Sequence, residues 1–123
     1  TLTLRDCGLS KDDLWKLMDG FDKGICNKLS TLRLDGNGEI NNTFVRRFLQ
    51  TYGKPNTLSN LSRLDLGYTQ IDADGVMLFY HLFEENPSSK LYSLDLCSIC
   101  LHSEEKSELK EMMKEVWTGH CSF

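Results

Sequence analysis

One phrase recurs along this chain and constrains its fold more than anything else in it. Leu29-Ser30-Thr31-Leu32-Arg33-Leu34 returns as Leu61-Ser62-Arg63-Leu64-Asp65-Leu66, then as Leu91-Tyr92-Ser93-Leu94-Asp95-Leu96. The chain opens on a truncated copy, Leu2-Thr3-Leu4. The final leucines, Leu4, Leu34, Leu66 and Leu96, recur about every 30 residues. That is the period of architectures that spend one strand and one helix on each unit.

Leucines at period two put their side chains on one face of a short strand. An apolar residue closes the turn after each phrase: Leu9, Ile40, Ile71 and Leu101. The second unit holds an extra residue within Asp35-Gly36-Asn37-Gly38-Glu39, where the glycines suit a locally widened turn.

Helical periodicity follows every closing residue. Ser10 and Asp13 have the spacing of a capping box, and Leu14, Leu17, Met18 and Phe21 then share one face. Phe44, Val45, Phe48 and Leu49 repeat that spacing until Gly53 and Pro55 stop it. In the third unit Asp72 caps a stripe of Val76, Phe79, Leu82 and Phe83, which Asn86-Pro87 ends. In the fourth, Ser103 is the expected cap, Glu104 and Glu105 suit the positive helix end, and Leu109, Met112, Met113 and Val116 face inward. Such stripes are more often core than cofactor contacts.

One strand and one helix cannot bury their apolar faces alone, whereas stacked copies cover one another. The expected fold is therefore α/β: a parallel sheet with helices on its other face, in units of about 1–25, 26–57, 58–88 and 89–118 with a tail at 119–123. A chain of 123 residues is normally one domain. Its 40% hydrophobic and 26% charged content is ordinary for a soluble globular protein. The formal charge of −4 argues against nucleic acid or an anionic membrane as partner. No apolar run approaches the ~20 residues of a membrane span. Five cysteines, odd in number and irregularly spaced, suggest no disulfide framework and favour a reducing, cytoplasmic setting.

The pattern L-x-x-L-x-L-x-x-(N/C)-x-L resembles the leucine-rich repeat, and the long unit with a true helix resembles its ribonuclease-inhibitor-like subclass. That subclass includes ribonuclease inhibitor, Ran GTPase-activating proteins and the sensor ends of NOD-like receptors. The likeness covers Leu2 to about Trp117. It implies a solenoid arc of about four repeats, with the parallel sheet concave and the helices convex. The Asn/Cys position, which in the family bonds backbone inside the turn, holds Cys7, Asn37, Thr69 and Ile99. Ile99 cannot make that bond, so the fourth turn is expected to be irregular or to use Cys97 or Cys100 instead.

The resemblance also implies binding along the concave sheet, where the residues between the leucines form columns across strands about 4.8 Å apart. These columns bring Arg5, Arg33, Asp35, Arg63, Asp65, Tyr68, Tyr92 and Asp95 to one face. Arginine and tyrosine are frequent hot spots. Asp65 beside Asp95 sets like charges on neighbouring strands. The competing interpretation is a solvated face in which Arg33 and Asp65 form an internal ion pair.

No cofactor or catalytic residue is expected. Cys97-x-x-Cys100 lacks the second pair that a structural zinc site needs. His81, His102 and His120 fit no nucleophile-and-base pattern. Asp72-Ala73-Asp74-Gly75 lacks the spaced ligands of a calcium loop. Asn41-Asn42-Thr43 is a glycosylation pattern that matters only outside the cell. The expectation is a non-catalytic scaffold for a protein partner. The alternatives are a sensing or autoinhibitory segment of a NOD-like receptor and a GTPase-activating module of the Ran-activator type. Thr1 lies inside a strand phrase, which predicts either further repeats upstream or end-to-end association of uncapped units.

Overall fold

Each leucine phrase is a strand, and each stripe that follows is a helix. The computed structural model describes residues 1–86 and 89–123. In chain order the elements are β1 (Leu2–Thr3), α1 (Lys11–Asp22), β2 (Thr31–Arg33), α2 (Asn42–Tyr52), β3 (Arg63–Asp65), α3 (Ala73–Glu85), β4 (Ser93–Asp95), α4 (Ser103–Val116) and β5 (His120–Ser122). The strands make one parallel sheet in sequence order, β1-β2-β3-β4-β5.

The register carries the repeat into three dimensions. Leu2 pairs with Leu32, Leu32 with Leu64, Leu64 with Leu94, and Leu94 with Cys121. The ladder continues beyond the strands, as Leu34 N–H donates to the Asp65 carbonyl at 2.9 Å, Leu66 to Asp95 at 2.8 Å and Leu96 to Ser122 at 2.7 Å. Leucines on the inner face meet the helix stripes in a single core containing Leu14, Met18, Phe21, Phe44, Phe48, Phe79 and Phe83. Leu17, Leu49, Leu82, Met112 and Val116 pack at its margin, partly exposed.

The expected tail at 119–123 is a fifth strand. Cys121 occupies the place of the middle leucine, and Phe123 packs against the core two residues on. Trp117 leads into this strand. Its ring stacks on Phe83 with centroids 4.3 Å apart, and its indole N–H donates to the Leu91 carbonyl at 2.8 Å. Gly119 passes so close under the Trp117 ring and the Tyr92 carbonyl that a Cβ there would collide with both.

The helix starts follow the short polar residues. Ser10 and Asp13 make the reciprocal capping box, which draws the Asp13 carboxyl below its usual range. Asn41 accepts from the Phe44 N–H at 3.1 Å, and Asp72 accepts from the Asp74 N–H at 3.0 Å. The fourth cap is His102 rather than Ser103, with Glu105 accepting the His102 N–H at 3.0 Å. Asn86 ends α3, its N–H donating to Leu82, while the expected stop at Pro87 lies outside the described residues.

All four strand-to-helix turns share a left-handed residue: Asp6, Gly36, Tyr68 and Ser98, with φ of 49°, 80°, 54° and 56°. The glycine at 36 therefore serves the common turn and not the extra residue of the second unit, which falls at Gly38-Glu39. The fourth turn keeps this geometry despite Ile99, whose side chain is buried where Asn37 and Thr69 make polar contacts. The expected irregularity at that turn is absent.

Among the described residues no helix is long and apolar enough to cross a membrane.

Candidate functional site

The sheet has a covered face and an open one. Alternate strand residues point away from the helices, so Thr3, Arg5, Thr31, Arg33, Asp35, Arg63, Asp65, Ser93 and Asp95 share the open face. All of the expected binding residues lie on this face or at its two edges, but they do not form one patch.

The charges are layered. Arg5 Nε donates to Asp35 Oδ2 at 2.8 Å, and Arg33 Nε donates to Asp65 Oδ2 at 2.9 Å. Arg63 Nε lies 3.6 Å from the other oxygen of Asp65. The arginine side chains are 47%, 33% and 51% exposed, whereas Asp35 and Asp65 are 12% and 3% exposed. The two carboxylates are thus submerged beneath the guanidinium groups. Their remaining oxygens, Asp35 Oδ1 and Asp65 Oδ1, are buried and have no hydrogen-bond partner among the described residues. Pairing with Asp35 also holds the Arg5 guanidinium even more firmly charged than usual. The internal ion pair between Arg33 and Asp65 is real and leaves Asp65 almost no contact with solvent, while the Arg5 pair covers most of Asp35.

Asp95 differs. It stands beside Asp65 in register, has no arginine, and accepts the Cys97 N–H at 2.9 Å. Hydrogen bonding of the Cys97 side chain with Asp95, followed by burial, pushes the Cys97 thiol up from its ordinary value.

Tyr68 and Tyr92 are both exposed, at opposite edges. Tyr68 sits in the left-handed turn position after β3 and lines a shallow cleft with Arg5, Asp6, Asp35 and Gly36. Tyr92 precedes β4. Its N–H donates to Ser62, and its carbonyl accepts from His120. The cleft therefore gathers Arg5, Asp35 and Tyr68 and leaves Tyr92 apart.

Among the described residues no three His, Cys, Asp or Glu side chains are gathered as a metal site would require. The five cysteines are free thiols. Burial pushes the Cys121 thiol up to about 12. Ser122 Oγ and His120 Nε2 lie 3.1 Å apart, a contact that the period of two in β5 produces by itself.

The helix layer holds one polar cluster that periodicity alone missed. Arg47 on α2 donates to Asp22 Oδ2 at 2.5 Å and to Asp19 at 3.1 Å on α1. Thr51 donates to Asp22 Oδ1 at 2.8 Å, and Lys54 lies 3.2 Å from the same oxygen. Arg47, foremost among these groups, lowers the Asp22 carboxyl from 3.8 to about 2. Spacing within either helix gives no sign of this clamp, because its partners meet only when neighbouring units stack.

No family model matches the chain, and no curated protein does. Among solved structures it is similar to the one titled "Leiomodin-1 Actin-Binding Site 2 (ABS2)". The TM-score is 0.74 at 12% sequence identity, over 99% of this chain and 69% of that chain. At that identity the likeness is one of fold.

Proposed function

We propose that this chain is a single leucine-rich-repeat domain of the ribonuclease-inhibitor-like type, a non-catalytic scaffold whose open sheet face binds a protein partner. The observation that carries this reading is the row of exposed arginines held in place by buried carboxylates. Fixing an arginine beforehand lowers the conformational entropy lost on binding. Arginine is also among the side chains that most often dominate interface energy. A solvated face needs no such arrangement. The asparagine at the turn position and the parallel register support the family assignment. The free thiols suit a reducing compartment.

The solved neighbour named above carries a protein-binding site in its title, so a fold of this kind can serve a protein partner. Actin itself does not transfer to this chain at 12% identity.

Affinity capture with mass spectrometry, with actin co-sedimentation alongside, supplies a partner. Calorimetry on face variants then tests the site. Arg33→Ala alone would strand the buried Asp65 carboxylate, so the informative variant is the double change Arg33→Gln with Asp65→Asn. It should weaken binding by roughly 1–3 kcal/mol, as should Tyr92→Ala. Arg46→Glu, on the exposed side of α2, should change it little. Loss of binding with Arg46→Glu but not with the face variants would move the site to the helices.

A further inference from the structure

The three arginines of the open face form a diagonal. Arg5 lies in register with Asp35, and Arg33 stands two residues before Asp35 on the same strand face. Arg33 lies in register with Asp65, and Arg63 stands two residues before Asp65. Each step from one arginine to the next therefore crosses one strand and moves back two residues. With strands about 4.8 Å apart and a rise of about 3.3 Å per residue, the step is about 8 Å. Asp35 and Asp65 occupy the corners between the arginines, nearly sealed from solvent.

Among the described residues, the hydrogen bonds that tie Arg5 and Arg33 to these corners run through Nε alone. The orphaned oxygens Asp35 Oδ1 and Asp65 Oδ1 agree with single-point pairing. The paired Nη groups at the end of each guanidinium remain to receive a carboxylate in the two-pronged geometry that arginine favours. The stripe ends at Ser93, beside Arg63 in register, and Asp95 lies beyond it. So an acidic chain carrying −4 overall presents a line of cationic forks on one sheet face.

We infer that this diagonal is a docking track for an extended acidic segment of a protein partner, with Asp or Glu at alternate positions. Alternate side chains of an extended strand project to the same side about 7 Å apart, which fits the ~8 Å step between flexible guanidinium groups. Three carboxylates at positions i, i+2 and i+4 would meet Arg5, Arg33 and Arg63 in turn. Contiguous acidic residues would direct alternate carboxylates away from the sheet. The inference rests on the proposal that partners dock on the open face, and it adds the charge and spacing of what docks.

Fluorescence-anisotropy titration of the full chain tests it with four probes. These are a peptide alternating serine with three glutamates, the same composition with the glutamates contiguous, the alternating peptide with lysine for glutamate, and a single-stranded oligonucleotide. The alternating glutamate peptide should bind about tenfold tighter than the contiguous one, the factor that 1.4 kcal/mol supplies. It should also outbind the lysine peptide and the oligonucleotide. The double variants Arg5→Gln/Asp35→Asn and Arg33→Gln/Asp65→Asn remove a fork without stranding a buried charge. Each should abolish the spacing preference with little change in circular dichroism, and Arg46→Glu should preserve it.

Equal binding of alternating and contiguous peptides, tighter binding of the oligonucleotide, or no binding of any peptide would overturn the track. In those cases a captured partner that still loses affinity with Tyr92→Ala would leave the open-face proposal standing. If the alternating peptide shifts the amide resonances of helix residues only, both fall together.

Discussion

The turn positions Asn37, Thr69 and Ile99 show how much one side chain can decide. The buried Asn37 donates to the Leu4 and Leu34 carbonyls at 2.8 and 2.9 Å and accepts the Leu9 N–H at 3.2 Å. Thr69 makes one such bond, to Leu66 at 2.8 Å. Ile99 makes none and fills the space instead. Asn37→Ala strands three backbone groups and should cost about 3 kcal/mol, given ~1–3 kcal/mol for a buried group left unsatisfied and some relief by water. Urea unfolding measures it, and a loss below about 1 kcal/mol would contradict the assignment. The thiols divide in the same residue-by-residue way. Cys7 and Cys100 are exposed, whereas Cys121 is half-buried and desolvation pushes its thiol up to about 12. Alkylation at neutral pH should modify Cys7 and Cys100 first and Cys121 last, as peptide mass mapping over time would show; early labelling of Cys121 would refute the desolvation of its thiol. The role of Asn37 was legible from its place in the pattern. The pairing of Arg33 with Asp65 was legible from the columns as well, but the depth to which Asp35 and Asp65 sink was not, because burial depends on how neighbouring strands stack and leaves no mark in the local sequence.

At the scale of elements, strands and helices were legible wherever the repeat carried leucine. The sequence cues for the caps Ser10 and Asp72 were matched in the structure, and the fourth cap moved by one residue. β5 escaped notice because Gly119-His120-Cys121-Ser122-Phe123 contains no leucine and arrives early for the period. Its only sign was the alternation of Cys121 with Phe123. The clamp between α1 and α2 was equally invisible, and it makes a pH prediction. The folded Asp22 carboxyl sits near 2, below its ordinary 3.8. Its contribution to stability is therefore fully present above 3.8 and is lost as pH falls through about 2. In Asp22→Asn, stability should fall less steeply over that acid window than in the parent, while the variant is less stable at neutral pH. Thermal melts at a series of pH values would reveal this, and parallel curves for the two proteins would exclude Asp22 as the titrating group.

Over the whole molecule, the repeat divides labour between two layers. Leucines and aromatic stripes hold strand to helix, which leaves the outward strand positions free of any duty in the core. Arginines and carboxylates on those positions then answer to each other and to whatever approaches the sheet. The sequence was sufficient to put Arg5, Arg33 and Arg63 on one face. It could not show that the carboxylates sink and the guanidinium groups stay up, nor that Tyr68 and Tyr92 part to opposite edges. The central claim is that the open sheet face, and not the helix layer, receives a protein partner. The most direct measurement is amide and arginine side-chain NMR of the labelled chain, titrated with the partner that affinity capture provides. The account predicts the largest shifts at Arg5, Arg33, Arg63 and the turn at Tyr68, with α1 to α4 little changed. Shifts confined to the outward residues of α2 and α3, with those arginines unmoved, would contradict it.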